Sequence, residues 1–341
     1  MFNNDISIDL GTATVQVYIK NKGIVLSEPT VIAVNTDTNE VCAVGKAALE
    51  MLGRTPPFIQ AVRPLHDGVI SSFTLTREMI KAFLSRVLSR TIGHPRIMMC
   101  VPGGVTDVEQ RAVIDAAREV GARDIYIIEE PVAAALGAGF DISRARGTLV
   151  VDIGGGTTDI ALLSLGGVVV SRSLKIAGDE FSEAIEKYMK REHNLIIGPL
   201  TAERIKREVG TVVKLEENKT CDVKGLCSVT GLPRRMKISS NDIYHIFDDY
   251  VYNITERIKE VLEEADPELH SDVIEDGIIL TGGGAIINGL DERITSAVGV
   301  KCNRAKDIVN CVVKGAGIAL RHIDTVTDIT KVYHKKAYIR D

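Results

Sequence analysis

The sequence predicts an α/β protein built from two related domains. Two observations carry that expectation. A strand, a glycine-bearing turn and a second strand occur twice, at NDISIDLGTATVQVYI and VVDIGGGTTDIALL, and elsewhere apolar strand-like runs alternate with amphipathic, helix-like stretches. In the first copy Ile6, Ile8 and Leu10 alternate with polar residues and Asp9 closes the strand. Gly11, Thr12, Ala13 and Thr14 form the turn, and Val15, Val17 and Ile19 resume the alternation. In the second, the strand reaches Asp152, breaks on Gly154, Gly155 and Gly156, passes Thr157, Thr158 and Asp159, and turns apolar again at Ile160. An internal repeat with a period near half the chain points to duplication.

Successive glycines let backbone N–H groups approach a ligand closely and point the same way, a nest suited to phosphate oxygens. Asp152 and its equivalent Asp9 would face the cation that accompanies the phosphate. Two such hairpins facing each other would clamp a polyphosphate from both sides. Taken singly, each hairpin also reads as a plain turn and each aspartate as its cap. Their repetition favours the phosphate reading.

Taken in order, GIVLSEPTVIAVN and VCAVGKAALEML read as strands followed by a short helix. AVRPLHDGVISSF, around Arg63, Pro64, Asp67 and Gly68, is a turn-rich return to the main body. Met79, Ile80, Phe83, Val87 and Leu88 stripe a helix from Leu75 to about Leu88. RIMMCVP is almost continuously apolar, as a fully buried strand is. Thr106 and Asp107 open a helix to about Val120. DIYIIEE is a strand ending at Glu129 and Glu130, and Pro131 takes the first position of a helix, VAAALGAG, whose small side chains permit close packing. VVKGAGIAL is its match, and two such slim helices would make a hinge between domains. SRSLKIAGDEFSEAI leads into a polar, mostly helical insertion, in which TAERIKREVG places Glu203 and Lys206 or Arg207 on neighbouring turns. Exposed strands and loops follow to Pro233, then one amphipathic helix from Asp242 to Glu264. GIILTGGGAI carries a third glycine turn, Gly282 to Gly284, before a helix in NGLDERI, and the tail KVYHKKAYIRD is basic.

The length of 341 residues suits about two domains. Hydrophobic residues at 45% and charged residues at 26% describe an ordinary folded chain rather than a disordered one. A balance of 41 basic against 46 acidic residues, net −5, argues against nucleic acid as the main partner. Cys42, Cys100, Cys221, Cys227, Cys302 and Cys311 lack zinc-site spacing and read as reduced thiols, and the histidines do not cluster with them. No apolar run reaches the roughly 18 residues of a membrane span, and MFNNDIS lacks a signal-peptide pattern. A cytoplasmic protein is expected.

Together DLGTAT, DIGGGTTD, TGGGAIINGL and the two small-residue helices resemble the actin, sugar-kinase and heat-shock-chaperone ATPase superfamily. Within it, VRPLHDGVI, IIEEPVAAALGAG, IAGDEF, TAERIKREVG and ILTGGGAIINGLDERI resemble the rod-shape-determining MreB family of bacterial actin homologues, from Asp5 to about Leu320. The resemblance implies an actin-like ATPase fold of two ribonuclease-H-like domains with inserted subdomains and Mg-ATP in the cleft between them. Domain I would cover 1–144 plus 318–341, with subdomain IB at about 32–70. Domain II would cover 145–317, with subdomain IIB at about 181–244.

The resemblance also assigns roles. Asp9 and Asp152 would face a hydrated Mg²⁺, which needs only one or two carboxylates. Gly11, Thr12, Ala13 and Thr14 would hold phosphates together with Gly154, Gly155, Gly156 and Thr157. Glu203 and Lys206 would contact the ribose and adenine, Gly282, Gly283, Gly284 and Ala285 would border the nucleoside, and Glu130 would orient the attacking water. Phosphoryl transfer is mostly positioning and charge stabilisation, so this minimal equipment implies slow hydrolysis. Nucleotide state would bias domain closure, and closure would favour filaments. Implied partners are further copies of the chain, cell-shape and wall-synthesis proteins, and the inner face of the membrane. Outside the resemblance, Glu130 reads first as an acid at a helix start, favourable by about 0.3–1 kcal/mol. Glu203 and Lys206 are equally a solvated helix face.

The chain departs from the family pattern in places. Thr14 stands where GTANT has asparagine, Asp159 where Glu is common, and AKDIVNCVVKGAG lacks a proline. These bear on the hydrolysis rate more than on nucleotide binding. The family reaches membranes through an apolar loop or an N-terminal amphipathic helix. MFNN is too short for such a helix and SRTIGHPR offers only Ile92, so weak, polymerisation-dependent binding is expected. A small-molecule kinase of this fold would need an acceptor pocket with its own base, which nothing marks. A chaperone would need a peptide-binding domain after the second slim helix. A degenerate paralogue that polymerises with little hydrolysis is the nearer alternative.

Overall fold

The computed structural model describes residues 5–88, 94–103, 105–323 and 330–334. Three antiparallel strands open the chain, β1 (Ile6–Leu10), β2 (Thr14–Ile19) and β3 (Gly23–Pro29). A small lobe follows, made of β4 (Ile32–Asn35), β5 (Val41–Val44), α1 (Lys46–Met51) and β6 (Ile59–Val62). The chain returns through a short hairpin, β7 (Leu65–His66) and β8 (Val69–Ile70). The first half is completed by α2 (Phe73–Leu88), β9 (Arg96–Val101), α3 (Asp107–Glu119), β10 (Asp124–Glu129) and α4 (Glu130–Ala138). α3 is opened by a Thr106–Glu109 capping box. α4 starts at Glu130, so Pro131 is its second residue and not its first.

The second half repeats the opening with β11 (Thr148–Ile153), β12 (Thr158–Ser164) and β13 (Gly167–Leu174). After α5 (Gly178–His193) come β14 (Leu195–Ile196), α6 (Pro199–Val209), β15 (Thr220–Cys227) and β16 (Pro233–Ser239). The single helix expected from Asp242 to Glu264 is instead three pieces: α7 (Ser240–Ile243), a 3₁₀ turn at Tyr244–Phe247, and α8 (Asp248–Glu264). In this arrangement Phe247 is fully buried, edge-on to Phe181 at 5.3 Å between ring centroids. The rest is α9 (Pro267–Asp276), β17 (Ile278–Thr281), α10 (Leu290–Val298), β18 (Cys302–Arg304), α11 (Cys311–Arg321) and β19 (Thr330–His334).

The duplication seen in the sequence reappears as topology. One sheet runs β19-β10-β9-β1-β2-β3 and the other β13-β12-β11-β17-β18, so the order around each glycine hairpin is the same. In both, the hairpin pair is antiparallel and the next strand joins parallel. β9 is buried on both faces for a reason. Ile97, Met99 and Val101 enter the core of the first half, while Met98 and Cys100 enter a core shared with the second sheet.

That shared core is built by an exchange of helices. α4 follows β10 of the first sheet but also packs on β11 and β12, and α11 follows β18 of the second but packs on β1, β2 and β9. The two helices touch at backbone distance. A Cβ on Gly315 would fall 1.7 Å from the carbonyl oxygen of Ala133, and one on Gly137 would fall 1.9 Å from that of Cys311. Only glycine at both places lets the helices meet this closely, as their small-residue composition predicts. The boundary expected at 317/318 falls inside α11.

Candidate functional site

Asp9 is the penultimate residue of β1 and Asp152 the penultimate residue of β11, and each strand is followed by its turn. The two turns face each other and touch. A Cβ on Gly155 would lie 2.6 Å from Cβ of Ala13, and one on Gly156 would lie 2.8 Å from Cγ2 of Thr12. Each turn is tied internally and to its own half. The Gly154 N–H donates to the Thr157 carbonyl at 2.8 Å, and the Thr30 hydroxyl donates to the Gly11 carbonyl at 2.7 Å.

The turn-rich segment around Asp67 and Gly68 bridges both turns. Asp67 and Gly68 form the two-residue loop between β7 and β8, with φ of 51° and 70°. Asp-Gly is the pair favoured where both loop residues need positive φ. The Gly68 N–H donates to Oγ1 of Thr12 at 3.1 Å, while a Cβ on Gly68 would lie 2.4 Å from Cγ2 of Thr157. The dipeptide Asp-Gly between apolar residues signals the hairpin, but nothing local signals what it spans.

Four acids converge here. Asp152 accepts from the Thr281 hydroxyl at 2.5 Å, a partner that the reading of TGGGA on Gly282 to Ala285 does not include. Burial pushes the Asp152 carboxyl up to about 7 against the lowering effect of Thr281, and Asp159 adds to the rise. Asp9 is likewise pushed up to about 7, by burial and then by the charge of Asp152. Glu130 is buried, its Oε1 has no hydrogen-bond partner, and burial followed by Asp9, Asp159 and Asp152 holds it well above the usual carboxylate range. Asp159, directly across from Asp152, takes the Gly103 N–H at 3.1 Å. Among the described residues no three acids or histidines stand close enough to ligate a metal directly. Crowded, desolvated carboxylates with an orphaned oxygen fit a divalent cation that keeps its waters.

The remaining residues divide. Lys206 and Glu203 pair at 2.6 Å, and Lys206 also reaches the carbonyl of Gly178, whose own N–H donates to Gly154 at 3.2 Å. The pair therefore stands beside the second turn. Burial works to raise the Glu203 carboxyl, but Lys206, Arg207 and Ser182 together hold it at about 2. Gly282 and Gly284 lie against the backbone of Ile153 and Gly154, and Gly283 faces space with nothing within 4 Å of a Cβ position. Ala285 is fully buried in the core of the second half, and Thr14 is exposed. Ile92 and the first four residues lie outside the described residues.

The family model for MreB/Mbl protein matches residues 3–328. The chain belongs to the MreB/Mbl family. It is 45% identical over 330 residues to the cell shape-determining protein MreB of Escherichia coli K12, covering 95% of each chain. It is 44% identical over 325 residues to Mbl of Bacillus subtilis, covering 95% of this chain and 98% of that one. Among solved structures, MreB5 of Spiroplasma citri bound to AMPPNP superposes with a TM-score of 0.89 at 38% identity, covering 96% of this chain and 99% of that one. A MamK double helical filament shares the fold, with a TM-score of 0.76 at 22% identity. The expected actin-like α/β fold is therefore the observed one. No helix among the described residues is long and apolar enough to cross a membrane.

Proposed function

We propose that this chain is a nucleotide-dependent cytoskeletal protein that binds Mg-ATP, hydrolyses it slowly, polymerises, and organises cell shape at the inner membrane. The observation that carries the reading is the meeting of two equivalent hairpin turns beside a cluster of acids, with Glu130, Asp152 and Asp159 buried and Asp9 half-buried. Backbone N–H groups around Gly11 to Thr14 and Gly154 to Thr157 would hold phosphate oxygens, and Glu203 with Lys206 would border the nucleoside beside the second turn. Asp9 and Asp152 would hold Mg²⁺ through its waters, and the ion would supply neutralisation of phosphate charge.

Glu130 would accept a hydrogen bond from the attacking water and take its proton. Burial, then Asp9, Asp159 and Asp152, hold this carboxyl above its usual range, the direction in which a carboxylate becomes a stronger base. Closure around nucleotide would involve the domains expected at 1–144 plus 318–341 and at 145–317. Filament assembly would supply the avidity needed for weak membrane contact, and cell-shape and wall-synthesis proteins would be recruited there.

Electron microscopy and phosphate release with ATP test the reading. Wild type should form filaments and release phosphate slowly, Asp152→Ala should do neither, and Glu130→Ala should polymerise without phosphate release. Phosphate appearing only on a small-molecule acceptor would contradict it. Co-sedimentation with anionic liposomes should fall in a polymerisation-dead variant, and equal binding by that variant would remove the avidity argument.

A further inference from the structure

The geometry points to Gln16 as a positioning residue for the hydrated cation, a role that rests on the Mg-ATP reading above. Gln16 on β2 pairs directly with Asp9 on β1, so both side chains leave the same face of the sheet. That face lies under α11, since Ser7, two residues before Asp9, donates through Oγ to the Val313 carbonyl at 2.8 Å. Gln16 is 4% exposed. Its Nε2 donates to Oδ1 of Asn310 at 2.8 Å, and its Oε1 is buried with no hydrogen-bond partner.

The direction of that amide is dictated from outside. Lys314 pairs with Asp307 and holds its carboxyl below the usual range, so Asp307 can only accept. Asn310 therefore turns Nδ2 toward Asp307, at 2.7 Å, and its Oδ1 is left facing Gln16. Gln16 must then present Nε2 to Asn310, and Oε1 remains on the face it shares with Asp9. A relay of three side chains thus fixes a buried acceptor at this place.

An acceptor needs a donor, and nucleotide phosphates offer none at neutral pH. The waters of a hydrated Mg²⁺ are donors, and its outer partners fix their orientation. The second half is arranged alike, because the equivalent position across from Asp152 holds Asp159. Each aspartate has a buried oxygen acceptor on the neighbouring strand, an amide in one half and a carboxyl in the other. Gln16 orients the cation's water on the Asp9 side.

The test is binding of a fluorescent ATP analogue to the purified chain, titrated with MgCl₂ and repeated in EDTA. For Gln16→Leu the Mg²⁺ concentration at half-effect should rise about tenfold, the low end for loss of an outer partner. Its affinity in EDTA should match wild type, while its melting temperature without nucleotide should fall, because Asn310 loses the donor that Gln16 supplies. Gln16→Glu restores an acceptor for the cation's water but removes the donor to Asn310, so it should recover only part of the Mg²⁺ requirement lost in the leucine variant. A leucine variant with an unchanged Mg²⁺ requirement, or one that loses affinity equally in EDTA, would overturn the role. Wild-type binding that ignores Mg²⁺ would instead overturn the Mg-ATP reading itself and the inference with it.

Discussion

Gly155 and Ala13 meet at the seam between the two halves, where a methyl group on Gly155 would lie 2.6 Å from Cβ of Ala13 and 3.1 Å from its nitrogen. The obstacle is partly backbone, so it cannot turn aside. Gly155→Ala should force the two hairpins apart. Nucleotide affinity should fall about tenfold or more, equivalent to about 1.4 kcal/mol, while overpacking costs about 1–3 kcal/mol of stability. Titration with a fluorescent nucleotide and urea unfolding would measure the two effects.

Gly283 offers the opposite case. Its Cβ position is empty to 4 Å and its φ is −68°, so Gly283→Ala should leave the melting temperature within experimental error. If the nucleoside lies against this backbone, the same substitution should weaken nucleotide binding several-fold, by about 1 kcal/mol. Unchanged affinity would place the nucleoside elsewhere.

Glu130→Gln keeps the shape of the side chain and removes its basicity. Steady-state phosphate release should drop about 10²- to 10⁴-fold, the usual contribution of a general base. Nucleotide binding and filament formation should persist. Loss of binding in this variant would assign Glu130 a structural role.

The crossing of α4 and α11 should be intolerant of added volume. Gly315→Ala sets a methyl group 1.7 Å from the Ala133 carbonyl oxygen, and the Gly137 nitrogen is only 2.7 Å away. A loss of at least about 1–3 kcal/mol is expected by urea unfolding. A wild-type midpoint would mean the helices separate without cost.

Acid should unfold the chain partly through Glu203. Its carboxyl lies at about 2 in the folded chain against an ordinary 4.5, because Lys206, Arg207 and Ser182 outweigh the effect of burial. A depressed pKa contributes stability above the unfolded value and loses it as pH falls through the folded one. Melting temperature should therefore decline between about pH 4.5 and 2 by less in Glu203→Gln than in wild type. Parallel curves would show that the Lys206 contact contributes nothing net.

Much of this architecture is legible in local pattern. Alternation of period two around Asp9 and an apolar run reaching Asp152 mark the two hairpins, and the unbroken apolar run in β9 marks a strand with a core on each face. Thr106 and Asp107 mark a helix start, which the structure closes with a Thr106–Glu109 capping box. Other features were not legible. The helix expected across Asp242 to Glu264 breaks at Tyr244–Phe247, where packing of Phe247 on Phe181 accompanies a tighter turn that periodicity cannot reveal. Thr281 sits beside three glycines that drew the chemical reading, yet its hydroxyl is the atom that touches Asp152. Gln16 looks like one polar residue in an alternating strand until Asn310 and Asp307 orient it.

By itself the sequence determined that two equivalent aspartate-and-glycine hairpins exist, that two slim helices follow, and what chemistry such turns suit. Those features are local, set by side-chain size, backbone freedom and periodicity within a few residues. Only the tertiary structure decided that Gly155 rests on Ala13, that Gly68 reaches Thr12, and that α4 and α11 exchange sheets so that Asn310 from one half orients Gln16 of the other. Such contacts join residues far apart along the chain. They depend on which buried faces meet, and one strand or helix pattern is compatible with many partners until the whole core is packed.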